Sequence, residues 1–112
     1  MNDDTEQDGS DSPEGAAVFP LIPEELGINP MLMAMLHAYV FLEGSDEEIV
    51  HPDGAIEAME YMATYLQRLT GKDLQRARED METLVGYAKE EDWPKEHTQF
   101  LKSFLQENGV GE

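Results

Sequence analysis

From Met31 to Leu42 the chain carries no charged side chain, and its only polar groups are the His37 imidazole and the Tyr39 hydroxyl. At about 100° per residue, apolar side chains fall in every sector of a helical wheel, which predicts a central helix buried in a compact domain. Twelve helical residues rise only about 18 Å, short of the roughly 20 residues that cross a bilayer. Asn29 is a favourable N-cap and Pro30 suits the first helical position. Gly44 is expected to supply a left-handed stop after Glu43. Ala34 and Ala38 predict a shallow stripe where a neighbouring helix approaches closely. Met31, Met33 and Met35 bring thioethers that adapt to irregular packing, as core filler or as a partner-binding groove.

Three further helices follow from the pattern. The second begins near Pro52 or Asp53 and runs to about Leu69, with Ile56, Met59, Met62, Ala63, Leu66 and Leu69 inward and Gly71 ending it. The third, about Asp73 to Lys89, has an apolar face of Leu74, Ala77, Met81, Leu84, Val85 and Ala88. Its outer face is expected to pair Arg76 with Asp80 and Arg78 with Glu82, each worth a few tenths of a kcal/mol. Gly86 inside it implies a close helix crossing or an early end, with a functional hinge as the alternative. The last helix starts near Asp92-Trp93-Pro94, capped by Asp92, and ends at Asn108-Gly109, with Trp93, His97, Phe100, Leu101, Phe104 and Leu105 inward.

Between the first two helices lies an acidic connection, residues 44–51, where Ser45 and Glu48 have the spacing of a capping box. Ahead of the first helix, Val18, Phe19, Leu21, Ile22, Leu26 and Ile28 are punctuated by Pro20 and Pro23, which predicts an extended apolar arm with one helical turn stopped by Gly27. Residues 1–15 contain six acids and no large apolar residue after Met1, so they are expected to form a disordered tail. The expected architecture is all-α: a compact bundle of four principal helices with an N-terminal apolar arm and a disordered acidic tail. Residues 16–109 form its single domain.

Charge narrows the functions. The chain of 112 residues has a net charge of −18. Residues 1–67 hold 15 acids and no Lys or Arg; all seven bases lie from Arg68 onward. Such a field repels phosphate backbones and anionic membranes, so no nucleic-acid or membrane partner is expected. It suits a basic protein partner, and it also keeps a protein soluble. No cysteine is present, which removes disulfides and thiolate metal ligands. The opening Met-Asn-Asp-Asp-Thr-Glu lacks the basic and apolar blocks of a secretory signal, so a cytoplasmic location is expected.

Catalytic chemistry is not evident. Nucleophilic catalysis needs an activated Ser, Cys, Thr or Lys beside an oriented base, and Ser45 and Ser103 sit in no such motif. Glu48-Ile-Val-His51 has an E-x-x-H spacing, but a di-iron bundle needs two such pairs on helices plus two further glutamates. No cofactor or metal is expected. His37 reads as a core histidine, and His97 as a ring packed on Trp93 one turn earlier.

His51-Pro52-Asp53-Gly54 resembles the H-P-D-G tetrapeptide of the small acidic helical immunity proteins that block nuclease toxins. The likeness covers four residues, and Ile56 to Met62 stands where those inhibitors place Tyr-Tyr-Pro, so no binding residue is carried over. The resemblance implies only that an acidic helical domain can serve to bind a basic protein.

The expected function is a non-enzymatic protein-interaction, or adaptor, module. The alternatives are an inhibitor, immunity protein or chaperone of a basic protein, and an enzyme using carboxylates such as Glu57 and Glu60. The expected partner-binding residues are Glu43, Asp46, Glu47, Glu48 and Asp53, clustered in sequence around the first inter-helix connection.

Overall fold

The structure, a computed structural model, describes residues 13–111. The tail expected over residues 1–15 therefore lies, through residue 12, outside the described residues. Four helices follow: α1 Pro30–Gly44, α2 Pro52–Leu66, α3 Gly71–Glu90 and α4 Lys95–Glu107. They pair as two hairpins, α1 with α2 and α3 with α4. Leu36, Leu66, Met81, Leu84, Ala88, Leu101 and Phe104 join Phe19 and Ile28 in one core. Among the described residues there is no strand, and no helix is long and apolar enough to cross a membrane.

The apolar arm is docked. Phe19 is 2% exposed, and its ring meets His37, Trp93, His97 and Phe100 edge-on at centroid distances of 5.3–5.8 Å. Such edge-to-face contacts set the positive ring edge against a negative face. Glu24–Leu26 form a single 3-10 turn, closed by Gly27 at φ 72 with its N–H donating to the Glu24 carbonyl. Docking begins before Ala16, since the Gly15 carbonyl accepts the Asp46 N–H at 2.8 Å.

The start of α1 is as the sequence predicts: Asn29 Oδ1 accepts the Met31 N–H at 2.8 Å above Pro30. Its burial and its end differ. Leu36 alone is fully buried, while Met31, Ala34, Ala38 and Phe41 face solvent, so no helix covers the alanine stripe. Gly44 is the last helical residue rather than a left-handed stop. A Cβ there would stand 2.9 Å from the Ala17 Cβ, so glycine at this position lets the arm pass closely.

Other boundaries shift for local reasons. The Ser45 hydroxyl accepts the Ala17 N–H at 2.8 Å, so it ties down the arm instead of forming a capping box. In its place Asp46 opens the turn, its carbonyl accepting the Ile49 and Val50 N–H groups. α2 stops at Leu66, and Gly71, at φ 56, begins α3 rather than ending α2. On α2, Met59, Met62, Ala63 and Leu66 face inward as expected, and only the first turn departs, where Ala55 is buried in place of the exposed Ile56. Asp92 has φ 58 and caps nothing; Pro94 holds the N-cap position of α4. Gly86 marks neither a crossing nor an end: it sits inside α3 with open space where a Cβ would be.

Asp80 is the largest departure. Expected on the outer face of α3, it is 6% exposed. One carboxylate oxygen accepts Arg76 Nε at 2.9 Å, and the other accepts the Asn29 N–H at 3.0 Å. Arg76 also donates to the Gly27 carbonyl at 2.8 Å. The pair is a tertiary clamp holding the entrance of α1 against α3.

Candidate functional site

The five acids expected to meet a partner fall around one end of the α1–α2 hairpin, but not as a single cluster. Asp46, Glu47 and Glu48 occupy the exposed turn between the helices. The turn is anchored on both sides. The Asp46 N–H donates to the Gly15 carbonyl, and Ile49 and Val50 are half-buried beyond it. Gly15 has φ 92, and a Cβ on it would stand 2.7 Å from the Asp46 carboxylate. The arm's glycine thus gives the acidic turn its seat.

Asp53 stands in the first turn of α2, where a carboxylate complements the partial positive charge of a helix start. Its N–H donates to His51 Nδ1 at 3.1 Å, which makes His51 the N-cap. The H-P-D-G tetrapeptide is therefore a helix entrance.

Glu43 belongs to different surroundings. Partial burial, and secondarily the Glu107 carboxylate on α4, raise its carboxyl above the ordinary carboxylate value. Burial also raises the Tyr39 phenol, with the Glu43 charge adding to it and a hydrogen bond from Asn108 opposing it. Glu43, exposed near the end of α1, thus stands within electrostatic reach of Glu107 on α4.

Glu57 and Glu60, the carboxylates of the enzymatic alternative, are exposed on α2, and neither lines a described cavity. Among the described residues no group of three or more His, Asp and Glu side chains is placed to hold a metal ion. Burial lowers the His37 imidazole below its ordinary value.

A second surface includes Met31, one of the three methionines offered above as core filler or as a partner-binding groove. Met31 is 81% exposed and Phe41 40%, on a helix with no charge before Glu43. Beside Met31, a cavity of about 270 Å³ opens between α1, α2 and α3. Leu32, Met35, Tyr65, Leu66 and Leu69 line it, together with Arg76 and Asp80. Because residues 31–42 are apolar in every sector, periodicity carries no signal of which sector faces water.

No family model, curated protein or solved structure matches this chain.

Proposed function

We propose that this domain is a non-enzymatic protein-interaction module that presents the Asp46-Glu47-Glu48 turn, with Asp53 beside it, to a basic protein partner. The observation that carries the reading is the anchoring of an exposed acidic turn through the Gly15 carbonyl and the Asp46 N–H. Anchoring lowers the ordering cost of association, since the turn already holds one conformation. The charge acts at longer range, raising the encounter rate with a positive surface more than the final affinity. Glu43, exposed near the end of α1, adds to that field. An inhibitor of a basic protein is the narrower form of the same reading.

The test is capture of a partner at low salt, followed by association rates against ionic strength. Replacing Asp46, Glu47 and Glu48 together with Asn, Gln and Gln should slow association several-fold at low salt and flatten its salt dependence. Identical salt slopes for parent and triple variant would remove the turn from the contact.

A further inference from the structure

We infer that the exposed face of α1 is a self-association surface, on which a second copy of this chain docks with its own α1 antiparallel. The inference goes beyond the proposed partner contact and does not depend on it.

Met31, Ala34, Ala38 and Phe41 fall within an arc of about 80° on the helical wheel, opposite the buried Leu36. Their 3-4-3 spacing is that of a two-helix seam. Their order is palindromic: large, small, small, large. A two-fold axis passing midway between Ala34 and Ala38 sets Met31 of one copy against Phe41 of the other, and Ala34 against Ala38. That self-complementarity is what an isologous interface requires. With only methyl groups at the centre, the helix axes can approach toward the short end of the usual range, about 8 Å.

Charge selects the occupant. On a chain of net charge −18, residues 31–42 provide a face with no carboxylate, so two copies meet there without opposing acids at the seam. The seam residues themselves offer a basic partner no carboxylate, and the flanking cavity is lined by both signs, Asp73 and Arg76; the complement of a basic partner is the acidic turn. Tyr65, 58% exposed on the cavity shared with Met31, widens the apolar surface toward α2. Four seam residues and their flanks bury less than the roughly 800 Å² per partner of a standard interface, so the dimer is weak and concentration-dependent.

Sedimentation equilibrium of the full chain tests this over roughly 1 to 500 µM, at low and at high salt. The expected result is a monomer–dimer equilibrium that tightens as salt rises, because screening relieves repulsion between two acidic molecules. Ala38→Asp, at an exposed position, should leave the melting temperature within a few degrees and weaken the dimer at least about tenfold. The chain has no cysteine, so cross-linking gives an independent measurement. An equimolar mixture of Ala34→Cys and Ala38→Cys should oxidise to the mixed disulfide several-fold faster than either variant alone forms its own. A monomer at every concentration and salt, a dimer indifferent to Ala38→Asp, or no preference for the mixed disulfide overturns the inference. Neutralising Asp46, Glu47 and Glu48 should leave the dimer intact, which separates this surface from the partner contact.

Discussion

Asp80 accepts the backbone N–H of Asn29 at 3.0 Å, joining the cap of α1 to the middle of α3 across 51 residues of sequence. The same carboxylate holds Arg76, whose guanidinium reaches on to the Gly27 carbonyl. Asp80→Ala leaves the Asn29 N–H without its acceptor, and hydrogen bonds to charged groups contribute about 1.5–3 kcal/mol each. A loss of about 2–3 kcal/mol is expected, with Asp80→Asn intermediate because one acceptor oxygen survives. Urea unfolding measures both; a loss near zero for Asp80→Ala would return the pair to the status of a solvated surface contact.

Phe19→Ala removes the ring at the meeting point of the arm, α1 and α4. A cost of about 3–5 kcal/mol is expected from lost transfer energy and the remaining cavity. Phe19→Leu keeps much of the volume but forfeits the edge-to-face contacts, so its cost should be smaller and still measurable. Trp93 is the chain's single tryptophan and lies 5.4 Å from Phe19, so its emission should shift to the red in both variants.

Gly86→Ala should stabilise the protein by about 1 kcal/mol, because glycine inside a helix costs that much relative to alanine. The space beside it is open, so no clash offsets the gain. A higher urea midpoint at unchanged m-value is the expected readout; a lower midpoint would mean that Gly86 is needed for a motion or a contact outside the resting structure.

His37 makes stability depend on pH. Its folded value is lowered by burial, so the neutral ring is favoured in the folded chain. That contribution is fully present above the ordinary histidine value near 6.5 and is lost as pH falls through it toward the lowered folded value. Unfolding free energy should therefore decline between about pH 7.5 and 5, and His37→Gln should flatten that slope. An unchanged slope would assign the decline to other groups.

The residues that were legible in the sequence are those whose role is local. Asn29-Pro30 opens α1, Gly27 closes the turn before it, and Asn108-Gly109 ends α4, because capping depends on neighbours a few positions away. The hydroxyl of Ser45 has the same local signature yet is claimed by Ala17, 28 positions earlier, which no spacing rule foresees. Asp80 carried a usable signal. It stands between Ala77 and Leu84 at helical spacing, which places a carboxylate on the apolar face and calls for a buried partner. The reading of Arg76–Asp80 as a one-turn surface pair missed it. For α1 the uniform apolarity that made the helix easy to find also hid its orientation, and only the docking of α2 and the arm decides which sector is left in water.

The seat of Phe19 also sets an order of assembly. Its ring partners Trp93, His97 and Phe100 emerge some 75 to 80 residues later in the sequence. Each helical hairpin closes a short loop, whereas the arm must close nearly the whole chain, and distant contacts form slowly because loop entropy is lost before they stabilise anything. Phe19 therefore waits for its site until residues far along the chain have been made. Phe19 and Ile22 stay solvent-facing until α4 is in place, so the interval before arm docking is when this acidic chain is most open to sticking to something else.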